Sequence, residues 1–212
     1  MNIQKSIIGE ELLSEYNFYI WGIMYELRAA DGLDRNKLKL AFELLDEMKI
    51  IYEDKNQIDK VVLESLITIP GEMVGVSQWD ILEGNEIKAA SNKLFEYRKS
   101  ILEDYKRDEF TIIDKDLLND FRENSIGENG FLNLLYKYNI CDNEKIDNTF
   151  LSLEKIIEIC KEITIIDIEV GYILMLLYES IVGSELLDNN EILIIASSKL
   201  QTYLRQLLEV EE

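Results

Sequence analysis

The sequence predicts an all-α protein made by tandem duplication: a roughly four-helix unit written twice, its two pseudo-symmetric halves packed into one helical body. Three observations predict it. Apolar residues recur at spacings of three and four along most of the chain, and nothing alternates with period two over a useful length. One proline and ten glycines in 212 residues leave little material for hairpins or linkers. The third observation is an internal match. With the first half shifted by 108, Asp34 falls on Asp142, Phe42 on Phe150, Leu45 on Leu153, Ile58-Asp59 on Ile166-Asp167 and Val62 on Val170. After a slip of two residues, Ala90-Ser91 matches Ala196-Ser197, Lys93 matches Lys199 and Tyr97 matches Tyr203. The expected units are residues 1–108 and 109–212. Positions that the copies share read as scaffold. Positions that differ are where one copy has specialised.

The elements follow in order. Residues 10–30 read as a helix carrying Leu12, Leu13, Tyr16, Ile20, Ile23, Met24 and Leu27 on its core stripe. Asp31-Gly32 stops it, and Asp34 caps a helix over 35–53 with Leu38, Phe42, Leu45, Met48 and Ile51 on one face. A third helix starts near Ile58. Proline lacks the N–H and clashes with the preceding turn at a cost of about 3 kcal/mol, so Ile69-Pro70-Gly71 is expected to end it. Residues 70–84 then read as a loop with one short helical turn, followed by a helix over 85–107. The second copy starts near Asp114, is interrupted at 126–130 and resumes to Tyr138. Asp142 caps the helix with Ile146, Phe150, Leu153, Ile156 and Ile159; a helix over 165–182 and a last one opened by Asp188-Asn189 complete it.

Charge narrows the function classes. The 42 acids against 22 bases give a net charge of −20, which disfavours nucleic-acid backbone and anionic membrane surfaces, since both need clustered Lys and Arg. The same charge suits a basic protein partner. No apolar run approaches the roughly 20 residues that span a bilayer. The N-terminus reaches Glu10-Glu11 without a signal-peptide pattern, so a cytoplasmic location is expected. Cys141 aligns with Leu33 and Cys160 with Tyr52, which reads as packing rather than metal or redox chemistry.

Catalytic signals are weak. Histidine is absent, and there is no Gly-rich phosphate loop and no cysteine pair at zinc spacing. No cofactor and no metal site are expected. Glu43, Asp46 and Glu47 lie within one helical turn, but in the other copy only Asp46 keeps an acid, Glu154, so a solvated face is the better reading. Asp59 and Asp167 recur in what read as first helical turns, where the helix dipole favours an acid. Phe42 and Phe150 read as equivalent core residues.

Ala30-Asp31-Gly32 before a helix resembles the Ala-Asp-Gly interhelical loop of tellurite-resistance TerB-type helical bundles. Those proteins are also acidic, duplicated and cation-binding, so the resemblance implies a cation-binding bundle. It covers only this loop and its flanks. The acid usual in that family several residues on is replaced around Lys37-Leu38, and the second copy reads Tyr138-Asn139-Ile140 there. No functional residue carries over.

The unshared apolar residues say more. Besides its core stripe, the first helix holds Phe18, Tyr19, Trp21 and Tyr25, against Ile126, Gly127, Asn129 and Asn133. A helix apolar on all sides is either buried centrally or meets a partner. Met73, Val76 and Trp79, with Asp80 beside them, gather after Pro70 on what reads as irregular backbone. The expected partner-binding residues are therefore Met73, Val76, Trp79, Asp80, Phe18, Trp21 and Tyr25. The expected function is a non-catalytic, acidic, helical protein-binding module for a basic partner, such as an immunity or inhibitor protein for a cationic toxin or nuclease. The alternatives are a carboxylate-dependent nucleotide or nucleic-acid processing bundle, a TerB-like cation binder, and a homodimer through the first helix.

Overall fold

The computed structural model describes residues 6–78, 83–103, 111–182 and 190–208. Among them the chain is all-helical apart from one short ribbon. The order is α1 (Glu10–Arg28), α2 (Arg35–Tyr52), β1 (Gln57–Asp59), α3 (Lys60–Ser77), α4 (Gly84–Leu102), α5 (Lys115–Ser125), α6 (Phe131–Tyr138), α7 (Asn143–Cys160), β2 (Ile165–Asp167), α8 (Ile168–Ile181) and α9 (Glu191–Leu208).

Helix starts follow the expected capping chemistry. The Asp34 carboxylate accepts from the amides of Asn36 and Lys37, Asp114 from those of Asp116 and Leu117, and Asp142 from that of Lys145. α9 is opened by Asn190, whose side-chain oxygen accepts from Ile192 N; the expected Asp188-Asn189 start lies outside the described residues. α1 and α6 both stop on a left-handed residue. Ala30 has φ 61° and Asn139 φ 55°. The next amide then closes back on the helix, Asp31 N to Glu26 O at 3.0 Å and Ile140 N to Leu134 O at 3.1 Å.

Three expectations need correction. Residues 70–77 are not a loop: α3 runs through Pro70 to Ser77. The helix is held on both sides of the proline by burial, since Leu66, Ile69, Pro70, Met73 and Val76 all lie in the core. Burying a large aliphatic side chain is worth about 1.5–3 kcal/mol, so several of them outweigh the roughly 3 kcal/mol cost of an internal proline. Ser91 Oγ in α4 donates to Pro70 O at 2.8 Å and ties the two helices at that turn.

The second correction concerns the residues before α3 and α8. They form two three-residue strands, paired antiparallel with Gln57 opposite Asp167, Ile58 opposite Ile166 and Asp59 opposite Ile165. The strands are too short for an alternating pattern to show. Lys60 N to Thr164 O and Ile168 N to Asn56 O extend the pairing at each end. Asp59 and Asp167 therefore end strands rather than sit in helical first turns, and neither side chain caps its helix. Both are buried and satisfied from a distance. Asp59 accepts from Ile7 N and from the Tyr52 hydroxyl at 2.7 Å; Asp167 accepts from Ile112 N and Ile113 N at 3.0 and 2.8 Å. Burial still raises the Asp167 carboxyl above its ordinary range, with the two amides opposing the rise.

One apolar core runs through the molecule. Tyr16 and Ser65 share a buried hydrogen bond of 2.7 Å within it. Lys60 is also buried, with Nζ donating at 2.5 Å to Cys160 O at the end of α7, a carbonyl that also accepts from Ile163 N at 3.1 Å. Cys160 is buried beside it, and burial raises its thiol to about 11. Phe150 is a core residue, as expected. Phe42 is only half-buried, which corrects the expected equivalence of the two rings.

Candidate functional site

α1 has two working faces. Tyr16, Ile20, Ile23, Met24 and Leu27 point into the core. Phe18 and Tyr25 stand out on the opposite side, 67% and 74% exposed. They lie two helical turns apart, so they belong to one exposed stripe. The Phe18 ring meets the edge of Tyr19 at 5.4 Å. Trp21 lies between them along the helix, half-buried and turned toward the neighbouring cleft.

That cleft lies where α1 and α3 meet α8 and α9. It encloses about 330 Å³ and is lined by Trp21 and Arg28 of α1, Glu64, Thr68 and Glu72 of α3, Tyr178 of α8, and Gln201, Leu204, Arg205 and Leu208 of α9. Arg28 Nη2 meets Glu72 Oε2 at 2.5 Å across its mouth. Thr68 Oγ1 donates to Glu64 O at 2.9 Å, which keeps this hydroxyl on its own helix. Burial and the nearby Glu72 charge raise the Tyr178 phenol above its ordinary value, so it stays a neutral donor at physiological pH. The cleft thus joins two aromatic faces to a pair of acids and a pair of guanidinium groups. Such a surface suits binding.

The structure brings together Phe18, Trp21 and Tyr25 from the expected set. It does not bring Met73 and Val76 to them: both are buried along α3 and cannot anchor a partner from the surface. Their burial follows from the continuation of α3 through Pro70. Trp79 and Asp80 lie outside the described residues. Glu72 was legible only as an acid beside Met73, and Arg28, Glu64, Tyr178 and Arg205 were not singled out by sequence. Their meeting depends on how α1 and α3 pack against α8 and α9, which no local pattern records.

The acids of α2 do not converge. Asp46 accepts from the Tyr97 hydroxyl at 2.5 Å and Glu43 pairs with Lys39 at 3.5 Å. Among the described residues no three His, Cys, Asp or Glu side chains gather as a metal site, and no helix is long and apolar enough to cross a membrane. The loop that resembles the TerB type, Ala30-Asp31-Gly32, ends α1 and hands Leu33 N to Glu83 Oε2 at 2.6 Å, a contact within the chain. Comparison with protein-family models, curated proteins and solved structures finds no match for the chain.

Proposed function

We propose that the protein is a non-catalytic, acidic, helical binding module that docks a basic protein on the outer face of α1. Phe18 and Tyr25 supply exposed anchors, and Trp21 leads from them into the cleft beside it. The observation that carries this reading is the exposure of Phe18 and Tyr25 on a helix whose opposite side already fills the core. The core does not need these rings, and large exposed aromatics are typical interface anchors. The net charge of −20 would add rate and selectivity toward a cationic partner. An immunity or inhibitor protein that occupies the basic surface of a toxin or nuclease is the concrete form. The chain is read as a tandem duplication with units 1–108 and 109–212, and α1 as the specialised element of the first.

The test is capture from native lysate with wild type and with Phe18→Ala/Tyr25→Ala, followed by identification of what is retained. Both positions are exposed, so the variant should keep its stability within about 0.5 kcal/mol. Loss of a basic captured protein, with stability unchanged, supports the reading. A stable variant that retains every captured protein removes α1 from the binding surface.

A further inference from the structure

A second groove lies in the other half, between α7 and α9. It encloses about 270 Å³, with Ile146, Phe150 and Ala196 as its floor and Ile192 and Ile195 as one wall. Ile195 is 66% exposed. The first half provides an internal control, because α2 and α4 stand there in the same order. In both halves a lysine lies over two rings and a tyrosine reaches an acid. Lys93 sits 4.2 Å from the Phe42 centroid with Tyr97 bonded to Asp46; Lys199 sits 4.9 Å from the Phe150 centroid with Tyr203 bonded to Glu154.

Beyond that shared clamp the halves part. In the sequence register, Arg35 stands for Asn143, Glu86 for Ile192 and Ala89 for Ile195. Arg35 and Glu86 form a two-pronged ion pair, Nε to Oε2 at 2.7 Å and Nη2 to Oε1 at 3.0 Å, which bolts α2 to α4. At the corresponding positions stand Asn143 and Ile192, neither charged, and Ile192 and Ile195 wall the space instead. Asp147 lines this groove, Glu154 reaches it through Lys199, and Glu144 and Glu191 are exposed one residue from the lining residues Asn143 and Ile192. The groove's one lysine, Lys199, is already held by Glu154 at 3.5 Å and by the two rings.

We infer that the α7–α9 groove is a docking site for a cationic amphipathic helix of a partner polypeptide. Apolar side chains of that helix would enter between Ile146, Phe150, Ile192 and Ile195, and its Lys and Arg would meet these acids. A second copy of this chain is a poorer occupant, because each copy carries a net charge of −20 and the two repel. The inference stands on a different surface from the α1 face and does not depend on it.

The test uses the full chain and a labelled synthetic Leu/Lys peptide with helical periodicity, read by fluorescence anisotropy at physiological salt. Its scrambled isomer and a Leu/Glu version are the controls. Wild type should bind the periodic Leu/Lys peptide at least about tenfold more tightly than either control, a gap of about 1.4 kcal/mol. Asn143→Arg/Ile192→Glu imports the first half's bolt and should abolish that preference. Ile195→Ala, at an exposed position, should weaken binding severalfold with the thermal midpoint unchanged, and it covers the case in which the double variant does not fold. Equal affinity for the scrambled peptide would mean unspecific charge attraction and overturns the inference. So does an unchanged affinity in folded variants. Sedimentation that shows a wild-type dimer dissolved by Ile195→Ala also overturns it, since the occupant would then be a second copy.

Discussion

Leu63 fills the space that a side chain at Gly171 would take: a Cβ there would stand 2.8 Å from Leu63 Cδ1. The two residues are equivalent in the register that sets Ile58 opposite Ile166, 108 positions apart, and they face each other where α3 meets α8. Two large side chains cannot share that crossing. α3 supplies the leucine and α8 supplies no side chain. Leu63 is fully buried, so it has little room to move aside.

Gly171→Ala should therefore destabilise the protein by about 1–3 kcal/mol in urea denaturation, from overpacking. This is notable because alanine is the better helix former by about 1 kcal/mol. Leu63→Ala alone should cost about 2–5 kcal/mol as a cavity mutant. The double variant should cost less than the sum of the two, with a coupling of about 0.5–3 kcal/mol. Strict additivity would show that the two positions do not touch.

Ala30→Gly should stabilise the protein by about 1 kcal/mol, because Ala30 holds φ 61° and a left-handed non-glycine residue costs about 1–2 kcal/mol. Asn139 at the end of α6 has the same conformation but is a residue that tolerates it, so Asn139→Gly should gain less. A lower denaturation midpoint for Ala30→Gly would mean that this turn is not left-handed.

The two ring clamps should differ in weight. Phe150→Ala should cost about 3–5 kcal/mol, since that ring is buried. Phe42→Ala should cost clearly less, because the Phe42 ring is only half-buried beneath Lys93. Equal losses in chemical denaturation would restore the equivalence that the sequence register suggests.

Cys160 gives a stability term that depends on alkaline pH. Its thiol moves from an ordinary value of 9.0 to about 11 because it is buried. Between those values the unfolded chain has released the proton and the folded chain keeps it. Stability should be level below pH 9, fall as pH rises toward about 11, and lose roughly 2–3 kcal/mol from this group. Cys160→Ala will be less stable at neutral pH, but its loss between these pH values should be smaller by that amount. Denaturation curves at three alkaline pH values decide the matter. Parallel pH dependences for the two proteins would mean the thiol is not held protonated by folding.

The helices were legible because their signals are local. Asp34, Asp114 and Asp142 cap where short-range chemistry puts them, and the stripes at Leu45 and Leu153 face the core. Pro70 was misread because its penalty is local while the burial of Ile69 and Met73 that outweighs it comes from tertiary packing. The β1–β2 ribbon was missed because three residues are too few for a period and the partner strand is far along the chain. The spacing in α1 already sets Tyr16 on the core stripe apart from Phe18 and Tyr25, but only the fold shows that Trp21 is half-buried and turned into the cleft. The cleft around Tyr178 and the opened groove beside Ile192 need the packing of non-adjacent helices, and no window of sequence contains it.

The β1–β2 ribbon has a consequence for autonomy. Its pairing is palindromic about Ile58 and Ile166, which is the arrangement of an isologous contact between identical subunits. β1 and β2 pair with each other from distant parts of the chain, and Lys60 at the start of α3 reaches Cys160 O at the end of α7. Cutting the chain at its middle would leave each piece with a bare strand edge and an exposed α3 or α8 face. Such pieces should recombine with each other, or pair with themselves, before either persists as a folded monomer. Assembly of such pieces would depend on concentration, a dependence that one continuous chain removes.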